Sequence, residues 1–134
     1  MAKSCLQLVG GALAVAALSA DAAAQNAQAP INTVNGLEAA LLACWAPPPL
    51  DQSRPGTQIT VLLSFKRNGE LFGQPRITFV SPETSKAQRS AYRTAVEETL
   101  KRCASLPFAE SFGNGMAGAP MTMRFVDDRE PPPR

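Results

Sequence analysis

The chain has no histidine among its 134 residues. That removes the commonest general base, the usual proton switch near neutral pH and the most frequent metal ligand. One Trp and one Tyr leave little from which to build a base-stacking platform. Charge is scarce at 18%, and 13 Lys+Arg against 11 Asp+Glu give a net charge of only +2. So slight an imbalance argues for neither nucleic acid nor an anionic surface as partner. Serines are present, but none has a histidine to activate it, and Lys and Asp show no catalytic spacing. The inventory therefore points to a binding protein rather than an enzyme, with no cofactor and no metal, and its length to one domain.

The first positive signal is at the N-terminus. Lys3 precedes an apolar run over 6–20, and Ala22-Ala23-Ala24 supplies the small residues of a signal-peptidase site, with cleavage before Gln25. The rival is an uncleaved membrane anchor. Gln7, Gly10 and Gly11 dilute the run, Asp21 closes it, and a span needs about 20 apolar residues. Cys5 precedes the run, the wrong side for a lipoprotein cysteine. Export with cleavage is the expectation, leaving 134 less 24, or 110, residues and no stable membrane insertion.

A polar, Ala-rich stretch over 25–33 reads as a disordered lead-in. Val34, Leu37, Leu41, Cys44 and Trp45 then share one stripe, which predicts a helix over 34–45 capped by Thr33 or Asn35. Pro47, Pro48 and Pro49 end it. Ile59, Val61, Leu63 and Phe65 alternate with polar residues, so 57–67 reads as a strand with one buried face. Asn68-Gly69 is a hairpin signal. A second strand over 70–80 keeps Leu71, Ile77 and Phe79 in phase, but Gly73 and Pro75 restrict it to a sheet edge or a bulge.

Ser85 with Gln88 fits a capping box opening a helix over 85–104. Its apolar stripe is Ala91, Tyr92, Ala95, Val96, Leu100 and Cys103. Arg93/Glu97, Glu97/Lys101 and Glu98/Arg102 are i,i+4 pairs on its wet side. A Gly-containing loop follows over 108–117, then a third strand on which Met121, Met123 and Phe125 alternate with Thr122 and Arg124, and a solvated Pro-rich tail. The reading is α+β, with topology α-β-β-α-β. The antiparallel sheet has three strands in order 2-1-3, and both helices cover one face.

Three motifs call for weighing. Gly113, Gly115 and Gly118 spell G-x-G-x-x-G, but a nucleotide site needs a strand before it and a helix after; a loop is the plainer reading. Asp127-Asp128 has a cation-binding composition, and a solvated tail is again plainer. Trp45 is either a partner anchor or, as favoured here, a cap over the core that shields a disulfide. Removing Cys5 with the leader leaves Cys44 and Cys103, an even pair in an exported chain. Both fall near helix C-termini, which predicts a Cys44–Cys103 bond closing a separation of 59 residues; two free buried thiols are the alternative.

Cys44-Trp45-Ala46-Pro47-Pro48, the Asn68-Gly69 hairpin, the Cys-ended second helix, Leu106-Pro107 and the closing strand resemble the C-terminal domain of TonB/TolA-type periplasmic proteins. The likeness covers 34–128, and 116–129 is similar to small stand-alone alphaproteobacterial members. The resemblance implies a small α+β domain in the Gram-negative periplasm that binds envelope or outer-membrane proteins, often by adding a strand to a sheet edge. Energy transducers of this type carry a membrane helix and a long spacer. Here about ten residues separate the apolar run from the domain, so an adaptor fits better than a short membrane-anchored transducer. A small exported enzyme or inhibitor acting through the 108–118 loop is the alternative from another class. Pro75 spoils strand two as a template and strand one is central, which leaves the outer edge of Met121, Thr122, Met123, Arg124, Phe125 and Val126 as the partner-binding edge. Arg124 would meet an acidic side chain on the incoming strand; a second copy there would give a homodimer.

Overall fold

Alternation and capping place the elements that carry the core. The computed structural model describes residues 10–11 and 29–131; the expected leader and its expected cleavage site otherwise lie outside the described residues. The elements are α1 (Val34–Cys44), a 3-10 turn (Leu50–Gln52), β1 (Gln58–Leu63), β2 (Arg76–Val80), α2 (Lys86–Arg102), α3 (Glu110–Met116) and β3 (Met121–Val126). The sheet is antiparallel with order β2-β1-β3, as its patterning predicts.

Ile59, Val61 and Leu63 of β1 and Met123 and Phe125 of β3 point to one side. Leu37 and Leu41 of α1 and Tyr92, Val96 and Leu100 of α2 close over them in a single core. Each fully buried apolar side chain contributes about 1.5–3 kcal/mol. Thr33 caps α1 through the Gly36 N–H at 3.0 Å. Ser85 and Gln88 form the reciprocal capping box of α2. Cys44 and Cys103 join the ends of α1 and α2 in a disulfide, with Cα atoms 6.2 Å apart.

Several local expectations give way to packing. β2 starts at Arg76, and Phe79 leaves the buried phase: Thr60 pairs with Phe79 but Val61 with Ile77, so Thr78 is an extra, bulged residue. Phe79 consequently faces out and is 48% exposed. Val34, expected on the buried stripe, is also 48% exposed. On α2, Lys101 pairs with Glu98 at 3.6 Å rather than at i,i+4. Arg102 instead donates to the Cys44 carbonyl at 2.9 Å, satisfying the end of α1. The described end of the 25–33 segment is tied down: the Ile31 N–H donates to Pro107 O (2.7 Å), and its carbonyl accepts from Ala109 N–H (2.8 Å).

The 108–117 segment is largely a helix, α3, not a loop. Phe108, Phe112 and Met116 recur at every fourth position, and Phe108 meets Phe112 edge-on at 5.0 Å. Glycines 113 and 115 disguise this spacing, because each costs about 1 kcal/mol of helix propensity. Gly113 is buried against the Arg67 carbonyl, where a β-carbon would overlap it. Gly69 is likewise pressed on Leu106 and has φ of +87°. Gly69→Ala is expected to cost at least about 2 kcal/mol, the left-handed strain plus the backbone overlap. Gly56→Ala is the control: φ is +94° there, but nothing lies within 4 Å. Urea midpoints should fall further for the first variant; equal shifts would refute the close approach.

Candidate functional site

The candidate edge is built by β3. In an antiparallel pair, alternate residues bond to the neighbouring strand. Asp127 N–H donates to Thr57 O at 2.9 Å, so Phe125, Met123 and Met121 turn their amides to β1. Thr122, Arg124 and Val126 turn theirs outward. Met123 and Phe125 are buried, whereas Thr122 and Arg124 are exposed and oppose Leu62 and Thr60 on the outer face of the sheet. Arg124 thus points away from the core, as the alternation requires.

Trp45 controls one end of this edge. Its ring stacks on Phe125 with centroids 4.9 Å apart, and its indole N–H donates to the Val126 carbonyl at 2.9 Å. That outward acceptor is therefore taken: Val126 keeps only its outward N–H, whereas Thr122 and Arg124 keep both outward groups. A cleft of about 430 Å³ adjoins it, lined by Glu38 and Leu42 of α1 with Thr60, Thr122, Met123 and Arg124. Leu42 is 48% exposed. Glu38 and Arg124 share the cleft, yet neither belongs to an ion pair among the described residues.

Just beyond β3 the chain is clasped. Asp127, expected in a solvated tail, is fully buried. Its carboxylate accepts from the Tyr92 hydroxyl at 2.5 Å and from both Nε and a terminal nitrogen of Arg129 at 2.8 Å. Arg129 also reaches Ser53 Oγ at 2.9 Å, and Tyr92 accepts from Arg54 N–H at 3.0 Å. Burial alone would raise the Asp127 carboxyl, but the hydrogen bonds from Arg129 and Tyr92 outweigh it and hold it below the ordinary carboxylate range. Burial, and next the Asp127 carboxylate, push the Tyr92 phenol above its ordinary value. No buried side-chain polar atom among the described residues lacks a partner. The cluster is a fastening, with every group occupied.

The sequence matches, over residues 27–129, the family described as Uncharacterised conserved protein UCP034077. The chain belongs to this family. The match takes in every described element of secondary structure, together with Ile31, the clasp and the β3 edge. No curated protein and no solved structure matches the chain.

In this UCP034077 member the six residues read as the partner edge are contiguous on β3, but they divide by role. Met123 and Phe125 are buried and Met121 is partly buried against the same core, Val126 is half blocked by Trp45, and Thr122 and Arg124 carry the free backbone groups. Glu38 and Leu42 were missed, because their nearness to β3 depends on how α1 crosses the sheet. Leu42 standing off the Leu37/Leu41 stripe was the available signal. The 108–118 segment lines neither this cleft nor the larger groove beside β2. Among the described residues no group of three His, Cys, Asp or Glu is placed to hold a metal ion, and no helix is long and apolar enough to cross a membrane.

Proposed function

We propose that this is an exported, periplasmic, non-catalytic interaction module, similar to the TonB/TolA C-terminal domain, that takes an extended segment of an envelope protein onto β3. The observation that carries the reading is the outward backbone of Thr122 and Arg124 on a strand whose other edge pairs with β1 and whose Met123 and Phe125 are buried in the core. An added strand would draw its affinity from those main-chain bonds and its selectivity from alternate side chains. One such side chain would rest on Leu42 and an acidic one would meet Arg124. Export is supported by the apolar run ahead of Ala22-Ala23-Ala24 and by the disulfide, which belongs to oxidising compartments. The absence of histidine from the sequence supports a binding rather than a catalytic role.

Arg124→Pro removes one outward donor without touching the ladder to β1, the place where an edge strand tolerates proline. Periplasmic cross-linking from Leu42 should capture an envelope protein with the native chain and lose it with Arg124→Pro, while circular dichroism stays unchanged. Capture that survives the substitution sinks the reading. So does full exchange protection of the Thr122 and Arg124 amides in the isolated monomer. A dimer in sedimentation that Arg124→Pro abolishes would instead assign the edge to a second copy.

A further inference from the structure

The opposite flank of the sheet carries a different feature. α1 lies toward β3, where Trp45 meets Phe125 and Val126. The inward face beside β2 is therefore covered from one side only, by α2. Gly73 and Pro75 also delay the start of β2 to Arg76. Between residues 73–77 and α2 this leaves an open groove of about 820 Å³, within the range of roughly 300–1,000 Å³ typical of small-molecule sites. Its floor is apolar: Val61, Leu71, Ile77, Val96 and Leu100. Its rim holds Arg76, Arg93 and Lys101 against a single carboxylate, Glu97. Lys101 is engaged by Glu98 at 3.6 Å, whereas Arg76 and Arg93 belong to none of the three ion pairs among the described residues.

We infer that this groove binds a single-chain amphiphilic anion, an alkyl chain ending in a carboxylate. The floor takes the chain, and burying it there follows the same energetics as burying a core side chain. The two unengaged guanidinium groups offer the planar fork that fits a carboxylate. Three rim cations against one anion disfavour a positively charged amphiphile. Where residues 73–77 line the groove, Pro75 has no N–H to give to a peptide strand. The groove lies across β1 from the β3 edge, so the inference stands or falls independently of strand addition.

The probe is dodecanoate, used below its critical micelle concentration and followed by calorimetry and amide chemical shifts. Dodecyltrimethylammonium and acetate serve as controls for the chain and the headgroup alone. Saturable binding is expected for dodecanoate only, with shifts confined to 61, 71–77 and 93–104. Arg76 and Arg93 are exposed, so Arg76→Gln/Arg93→Gln should keep the melting temperature while weakening dodecanoate at least about tenfold. Equal binding of the cationic amphiphile, unchanged affinity in the double variant, shifts centred elsewhere, or no binding up to about 1 mM would each overturn the assignment. Preference for an acidic peptide over dodecanoate would overturn it too.

Discussion

Asp127→Ala should lower the unfolding free energy by about 3 kcal/mol, as expected when one partner of a buried, hydrogen-bonded ion pair is removed. The substitution strips the Tyr92 hydroxyl of its acceptor, frees Arg129 from its two-pronged contact and releases the tie to Ser53. Tyr92→Phe should cost less, about 2 kcal/mol, because Asp127 keeps Arg129. The effect also carries a pH signature. The folded carboxyl sits below its ordinary value of 3.8, so the native state binds fewer protons than the unfolded chain as that range is crossed. Its stabilisation is complete above the ordinary value and fades as pH falls through the lower folded value. Urea midpoints of the native chain and Asp127→Asn, taken at pH 7 and at about pH 3, should therefore converge on acidification. A gap of the same size at both pH values would mean that the charge of Asp127 is not what holds the clasp.

Removing the disulfide should do comparable harm. Cys44 and Cys103 are 59 residues apart, a loop for which chain entropy gives about 4 kcal/mol. For a domain of this size that corresponds to a melting-temperature fall of roughly 15 °C. The paired replacement Cys44→Ala/Cys103→Ala is the cleaner test, since it leaves neither partner as a free thiol. Scanning calorimetry of that variant should match the native chain under strong reductant. Mass spectrometry of the oxidised protein should find the two cysteine peptides linked. The loss falls on the junction of α1 and α2, where Arg102 also holds the Cys44 carbonyl. Arg102→Ala in the reduced chain should accordingly cost more than in the oxidised one.

The open β3 edge and the β2 groove follow from a common asymmetry. Two helices cannot cover three strands evenly. α1 covers the β3 side and ends in Trp45, which caps Val126. α2 covers the centre and leaves the β2 side partly bare. A backbone edge on one flank and an apolar trough on the other are what remains.

Much of this architecture was written in short-range chemistry. The alternation of Ile59, Val61 and Leu63, the Ser85–Gln88 box, the proline stop after Trp45 and the positions of Cys44 and Cys103 near helix C-termini each depend on residues within a few positions of one another. They determined the α+β class, the strand order, the antiparallel pairing and the cysteines that bond. Tertiary structure decided the rest, because the deciding partner was remote in sequence. One bulged residue at Thr78 reversed the facing of Phe79. Of the two glycines that hid α3, Gly113 is needed where it meets Arg67, a contact no local pattern encodes. Asp127 read as a solvated tail because its hydroxyl partner, Tyr92, lies 35 residues back; a carboxylate is buried only where such a partner waits, and only the folded chain brings one. The candidate edge shows the same division. Alternation along β3 determined which backbone groups face outward, whereas the crossing of α1 decided that Trp45 closes Val126 and leaves Thr122 and Arg124 open.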